Sequence, residues 1–203
     1  MVTAVGLTGP QVPGATPLDK EDVEQLIPNA LTTQRELNEW EETNIGEARE
    51  WLGRQRKWRD PLAYGFAIEL HRRMFYRTWQ WAGTLRRREA SVGVDPRSIP
   101  FLLPQALDNA KYQFTLTEDP LNHVHRVAAR LHHRLVQIYP FRNGNGRHAR
   151  LLVDYVLRKR EAEPFTWGRA NLVNAGPVRD AYIAALRAAD AVDFEPLYVF
   201  VRS

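Results

Sequence analysis

The stretch Tyr139-Pro-Phe-Arg-Asn-Gly-Asn-Gly-Arg-His-Ala-Arg150 joins two apolar helical patterns and carries the most informative chemistry of the chain. Gly144 and Gly146 allow backbone N–H groups to turn toward one point and approach an anion closely. A helix follows directly, so its first N–H groups and the positive end of its dipole face the same point. Arg147 and Arg150 stand three apart on that first turn, where both can reach phosphate oxygens. The residues alone leave open the alternative of a glycine turn whose arginines pair with acidic neighbours.

Regular helical patterns flank this loop. Apolar residues at 3.6-residue spacing from Val124 to Ile138 predict a helix that starts at Asp119-Pro120. It ends before Pro140, because the residue preceding a proline avoids the helical region. Other helices are predicted over 19–27, 33–53, 61–81, 104–116, 147–160, 177–189 and 194–201. We therefore predict an all-α fold, with an N-terminal arm and short helix over residues 1–30 and the main domain over residues 31–203.

The composition is typical of a soluble globular domain. The 203 residues suffice for one core, and the lack of cysteine excludes disulfides and thiolate metal sites. Met1 to Pro17 lacks a signal-peptide pattern, and no apolar run is long enough to span a membrane. A cytoplasmic protein is therefore predicted, with a secreted effector as the alternative. Basic and acidic residues are interleaved, so nucleic-acid binding is not favoured, and Arg86-Arg87-Arg88 is the one cluster suited to such a partner.

The loop resembles the signature of the Fic family, His-Pro-Phe-x-(Asp/Glu)-Gly-Asn-Gly-Arg-x-x-Arg. Trp79 to Arg86 is similar to the segment that precedes the family's target-docking flap, and Arg179 and Tyr182 resemble positions of its C-terminal helices. The likeness runs from Thr33 to the end of the chain and is closest to the subgroup called mobile mystery protein B. It implies a Fic-fold helical bundle with a short β-hairpin flap, whose strand would comprise Ser91, Val92, Gly93 and Val94.

The resemblance also implies an activity and roles for individual residues. Fic enzymes transfer AMP from ATP, with magnesium, to a hydroxyl of a target protein. By this resemblance Arg150 would hold the outermost phosphate and Phe141 would anchor the loop, while Asn143 stands at the magnesium-binding position. The α- and β-phosphates would be held by Gly144, Asn145, Gly146 and Arg147.

Two positions depart from the signature. Asn143 has a carbonyl oxygen but no charge, so magnesium binding there is expected to be weak. Tyr139 stands where the family has the catalytic histidine that accepts the proton of the target hydroxyl. Tyrosine titrates near pH 10 and histidine near 6.5, so about one tyrosine in a thousand is ionised at pH 7. We expect impaired or altered transfer. The alternatives are catalysis by a tyrosinate at Tyr139 and a degenerate domain that binds nucleotide or protein without turnover.

Regulation has two interpretations. Thr32 to Asn38 loosely resembles the family's inhibitory helix, in which Glu36 would block Arg150. The same residues form a capping box, in which Glu36 serves its own helix through Thr33. If Glu36 only caps, inhibition is expected from a separate antitoxin-like partner, and a homodimer is a further expectation. His148 is expected to pack or hydrogen-bond on a helix surface.

Overall fold

The computed structural model describes Leu7 and residues 18–56, 59–116, 120–169, 172 and 175–203, except the side chains of 120–122. The predicted arm over 1–17, apart from Leu7, and the predicted cap Asp119 lie outside these residues. The α-helices of this part are α1 (Lys20–Glu24), α2 (Gln34–Gly53), α3 (Tyr64–Phe75), α4 (Ile99–Gln113), α5 (Pro120–Ile138), α6 (Asn145–Lys159), α7 (Pro177–Asp190) and α8 (Glu195–Phe200). The predicted all-α class is confirmed. None of the described helices is both long and apolar enough to cross a membrane.

The two helices that flank the loop form the centre of the molecule. α5 packs against α4 and α6, α3 packs against α2 and α6, and α7 packs against α8. Leu135 and Ile138 on α5 are almost fully buried against Leu152, Val153 and Val156 on α6. Because the loop joins two fully packed helices, its two ends are fixed in place.

Both short-range caps near the N-terminus are formed as the sequence predicts. Asp19 and Asp22 make a reciprocal capping box at α1. At α2, the Glu36 N–H donates to Thr33 Oγ1 (3.3 Å), and the Thr33 N–H donates to Glu36 Oε2 (3.0 Å). The Thr32 N–H also donates to Glu36 Oε2 (2.8 Å). These backbone donors lower the pKa of Glu36 to about 2. The carboxylate of Glu36 therefore serves the start of its own helix.

Three segments differ from the sequence prediction. The helix predicted over 61–81 spans only Tyr64–Phe75, and residues 76–83 form turns and an isolated bridge. α4 begins at Ile99, one turn before the predicted start, with Pro100 in its first turn and Pro104 inside the helix. Pro100 is tolerated because the N–H groups of the first turn have no helical partner to lose, whereas Pro104 removes the bond that its N–H would make to the Pro100 carbonyl. Residues 91–94 form bends rather than a ladder strand, so the predicted flap hairpin is not formed among the described residues. The pairing near the loop is an isolated antiparallel bridge between Leu85 and Phe141.

Candidate active site

Backbone N–H groups at the start of α6 have no partner within the helix. Gly144 adopts a left-handed conformation (φ 75°) as the N-cap. The first helical bond runs from the His148 N–H to the Gly144 carbonyl (2.8 Å), so the N–H groups of residues 145–147 precede the hydrogen-bonded part of the helix. A Cβ placed on Gly146 would lie 3.4 Å from Arg150 Nη1 and 3.9 Å from the Tyr182 hydroxyl. We call the three N–H groups of 145–147, with Arg150 beside them, the cradle.

The Asn145 side chain braces the loop. Its Oδ1 accepts from the Phe141 N–H (2.8 Å), and its Nδ2 donates to the Phe141 carbonyl (2.8 Å). The residue is buried, so these two bonds satisfy the amide where water does not reach it. Only the backbone N–H of Asn145 remains to face a phosphate, which narrows the role that the family resemblance implies for this residue.

Two buried histidines, which the sequence analysis did not assign to the site, support the loop from below. The Gly83 N–H donates to His71 Nδ1 (3.0 Å), so the ring proton is on Nε2, which donates to the Asn143 carbonyl (3.1 Å). The His71 ring stacks on Phe141 with centroids 3.6 Å apart. His148 is also buried and lies 2.8 Å through Nε2 from the Ala67 carbonyl, so its expected place on the helix surface is wrong. The apolar spacing of Ala67 and Leu70 could have indicated that His71 faces inward.

Acid is expected to destabilise this support. Burial lowers the pKa of His148 to about 4, and it holds the pKa values of His71 and His132 well below 6.5. The unfolded chain takes up these protons near pH 6.5 and the folded chain only at lower pH, so stability is present above pH 6.5 and is lost toward pH 4. Between pH 7.5 and 5, His148 alone should remove about 2 kcal/mol of unfolding free energy. Burial raises the pKa of Asp154 to about 6, which opposes part of this loss.

Urea unfolding at pH 7.5, 6 and 5 measures this dependence. His148→Gln serves as the matched variant, because a glutamine amide can still donate to the Ala67 carbonyl but does not titrate. As the pH falls from 7.5 to 5, the unfolding free energy of this variant should decrease less steeply than that of the wild type. The difference in slope should correspond to the uptake of about one proton fewer on unfolding. Equal slopes for the two proteins would contradict the assignment to His148.

The magnesium position lacks a suitable ligand set. Asn143 Oδ1 already accepts from the Gly144 N–H (2.6 Å), and the Asn143 carbonyl accepts from His71. Among the described residues no group of three or more His, Asp or Glu side chains is arranged to hold a metal ion. Mg²⁺ prefers carboxylate and phosphate oxygens. The protein groups present here therefore do not fit a magnesium ion held by the chain itself.

Arg147 is held by a buried carboxylate. Its Nη1 lies 2.7 Å from Glu41 Oε2 on α2, and Glu41 Oε1 accepts from Trp79 Nε1 (2.7 Å). Glu41 is 2% exposed. The side chains of Arg147 and Arg150 therefore have different partners. Glu41, rather than Glu36, is the carboxylate of α2 that reaches an arginine of the loop, and the sequence analysis did not identify it.

Arg150 lies against a buried pair on α5 and α7. Its guanidinium is 5.7 Å from the centroid of the Tyr182 ring. The Tyr182 hydroxyl is 2.9 Å from Nε2 of His132, which is fully buried. Burial raises the pKa of Tyr182, and the neighbouring Arg150 charge lowers it by less. Burial lowers the pKa of Arg179, and the like charge of nearby Arg150 lowers it further. The C-terminal helices thus supply one wall of the cradle.

Tyr139 is enclosed between the loop and the flap. It has φ 54° and is 8% exposed. Its carbonyl accepts from Arg86 Nε (2.6 Å), and Arg86 Nη2 bonds to the Val94 carbonyl. A Cβ on Gly93 would lie 2.6 Å from Tyr139 Cβ, so the flap backbone touches this residue. Buried Arg86 fastens the flap to the end of α5, and Arg88 pairs with Glu21, so this cluster is not the free basic patch considered above.

The fold is helical, and the start of its central helix leaves three backbone N–H groups beside Arg150. Residues 61–157 match the model of the Fic/DOC family. It is 29% identical over 147 residues to protein adenylyltransferase fic-1 of Caenorhabditis elegans, covering 70% of this chain and 27% of that protein. It is 36% identical over 94 residues to protein adenylyltransferase Fic of Nematostella vectensis, covering 45% of this chain and 22% of that protein. The chain thus spans about a quarter of the length of these relatives.

Solved structures agree with the fold. Fic-1 of C. elegans superposes with a TM-score of 0.62 at 24% identity, covering 89% of this chain and 51% of that one. BepC of Bartonella tribocorum, solved with bound AMPPNP, superposes with a TM-score of 0.65 at 16% identity, covering 94% of this chain and 93% of that one.

Proposed function

We propose that this domain transfers the AMP part of ATP to a hydroxyl group of a target protein, at a low rate because Tyr139 occupies the position of the proton acceptor. The observation that carries the proposal is the cradle: three N–H groups at the start of α6 with Arg150 beside them. A helix N-terminus with an adjacent guanidinium is suited to phosphate. The names of the relatives, protein adenylyltransferases, and the AMPPNP complex of BepC support the same chemistry.

The residues of the chain divide this task. Bound ATP supplies the adenylyl group and a pyrophosphate leaving group. The N–H groups of 145–147 and Arg150 hold the phosphates, and the flap over Ser91–Val94 holds the target segment beside Tyr139. The target hydroxyl oxygen bonds to the α-phosphorus as the bond from that phosphorus to pyrophosphate breaks, and the hydroxyl proton passes to the oxygen of Tyr139 in its phenolate form. A tyrosine side chain is a poorer proton acceptor near neutral pH than the histidine that the family has at this position, so this step is slow. No step is assigned to magnesium, since the donors at Asn143 do not fit it.

The alternative is a domain that binds nucleotide or a protein without turnover. Two observations favour it: a phenol stands at the proton-acceptor position, and Glu41 holds Arg147. Membership of the mobile mystery protein B subgroup, a cytoplasmic location, an antitoxin-like inhibitor, a homodimer and inhibition by Glu36 stay predictions. Both functions require the cradle to bind ATP, so nucleotide binding is the first test.

Arg150→Gln is expected to weaken ATP binding by about 10- to 100-fold, because a charge-assisted bond to phosphate is lost. Isothermal titration calorimetry with ATP, with and without Mg²⁺, measures the change. Arg35→Gln is the matched control, since Arg35 carries the same charge on an exposed turn of α2. If the wild type binds no ATP, or if both variants bind it as tightly as the wild type, the cradle is not a nucleotide site.

A further inference from the structure

A cavity of about 460 Å³ starts beside the cradle at Arg150 and runs along α6 to Arg158. One wall is the face of α6 that carries Arg147, Arg150 and Arg158, whose spacings of about one, two and three turns place them on one side of the helix. α2 forms the opposite wall, and the third side is closed by Thr166, Trp167, Arg169 and Leu172. The lining residues are Glu42, Ile45, Arg49, Leu52, Arg147, Arg150, Leu151, Asp154, Tyr155, Arg158, Thr166, Trp167, Arg169 and Leu172. This volume is typical of small-molecule sites.

The lining has more positive than negative charge. Five arginines line the cavity, against the carboxylates Glu42 and Asp154. Glu42 pairs with Arg49 (2.7 Å), and Asp154 accepts from Trp167 Nε1 (3.0 Å). No carboxylate of the described residues lies within 4.0 Å of the guanidinium nitrogens of Arg150, Arg158 or Arg169. Bringing these cations together in a partly enclosed space is unfavourable unless an anion joins them.

We propose that this cavity is a second anion site, which takes inorganic pyrophosphate or a small molecule that carries a diphosphate. Guanidinium groups bind phosphate oxygens through paired N–H donors, and three such groups face one space here. Arg150 belongs to both the cavity and the cradle, whereas Arg158 and Arg169 belong to the cavity alone. The proposal goes beyond the proposed function and does not depend on turnover.

Asp154 makes this site sensitive to pH. Burial raises its pKa to about 6, and the charges of Arg158 and Arg150 lower it by less. The other charged groups that line the cavity are Glu42 and Arg49 on α2, Arg169 on the closing segment and Arg147 on α6 itself. Above pH 6 the ionised carboxylate repels an anion, and below pH 6 it does not. Anion binding should therefore strengthen as the pH falls, and Asp154→Asn should remove this dependence.

The first test is calorimetry of pyrophosphate at pH 7.5 with wild type, Arg158→Gln and Arg169→Gln. Each variant should weaken binding by about tenfold, from the loss of one charged contact. ATP binding at the cradle should be unchanged in both, and Arg35→Gln should change neither. Arg158→Lys keeps the charge and should retain part of the affinity, which separates a charge effect from misfolding. If Arg158→Gln and Arg169→Gln bind pyrophosphate as tightly as the wild type, the proposal is wrong.

A second test uses sulfate, whose charge is constant between pH 5.5 and 8. The wild type should bind sulfate several-fold more tightly at pH 5.5, while Asp154→Asn should bind it equally at both values. A wild-type affinity that does not change with pH would contradict the role of Asp154. The proposed function can fail separately from this proposal. If the wild type binds no ATP, but Arg158→Gln and Arg169→Gln weaken pyrophosphate binding, then the cavity is an anion site and the cradle is not a nucleotide site.

Discussion

Tyr139→His is expected to raise the rate of adenylyl transfer by about 10²–10⁴-fold, which is the usual contribution of a general base. An imidazole titrates near pH 6.5 and accepts a proton readily at pH 7, whereas a phenol titrates near 10. The rest of the site is already in place, because the cradle, the flap and the Arg86 contact are made by other residues or by the backbone of residue 139.

The backbone at this position favours the exchange. Residue 139 has φ 54°, in the left-handed region, where histidine occurs more often than most residues and bulky side chains are uncommon. Arg86 Nε donates to the carbonyl of residue 139, and the N–H of residue 139 donates to the Leu135 carbonyl. Neither bond depends on the side chain at this position. We therefore expect the variant to fold like the wild type.

Transfer of radiolabelled AMP from ATP to proteins of a lysate measures the effect, with Tyr139→Phe as the matched variant. Activity in the histidine variant alone would identify the wild type as a degenerate domain with an intact site. Wild-type activity that is lost in Tyr139→Phe would assign the base to the phenol. If Tyr139→His binds ATP but labels no protein, then residue 139 is not the position of the general base, and the proposed reaction is wrong.

The sequence predicted those features that local chemistry determines. The capping box at Thr33 and the helices on either side of the loop depend on residues that are close in the chain, and the structure confirms them. The left-handed Gly144 likewise follows from its position between two helices. Pro104 misled the prediction of α4, because a proline usually opens a helix at its first turn, whereas here Pro100 has that place and Pro104 lies inside the helix.

The parts that could not be predicted are contacts across the fold. The partner of Arg147 is Glu41, 106 residues earlier, and no local pattern separates this glutamate from its neighbours on α2. His71 reaches the Asn143 carbonyl across 72 residues. Asn145 was expected from the resemblance to hold phosphate, and its side-chain amide instead bonds to the backbone of buried Phe141. In each case tertiary packing determines which donors are left for a ligand.

Glu41→Gln is expected to lower the free energy of unfolding by about 3 kcal/mol, because it leaves the Arg147 charge without its partner in a largely buried place. Arg147 keeps 16% of its side-chain surface exposed, which puts the loss at the lower end of the range for buried pairs. The glutamine keeps its size and can still accept from Trp79 Nε1, so the change is mainly one of charge.

The same variant should bind ATP more tightly than the wild type. Arg147 lies on the first turn of α6, so a guanidinium released from Glu41 can contribute to the phosphate site. The wild type has to break the Glu41–Arg147 pair before Arg147 can bind a phosphate, and Glu41→Gln does not. We expect about tenfold tighter binding, and hence a larger increase in the melting temperature on adding ATP.

Thermal melts with and without ATP, read by circular dichroism, measure both effects, and Glu41→Gln with Arg147→Gln is the matched double variant. Removing both charges should recover most of the lost stability but none of the gain in ATP affinity, since the two sites are directly coupled. A single variant as stable as the wild type would mean that the pair contributes nothing to folding. A destabilised variant without tighter ATP binding would show that Glu41 supports the fold and that Arg147 is not a phosphate ligand.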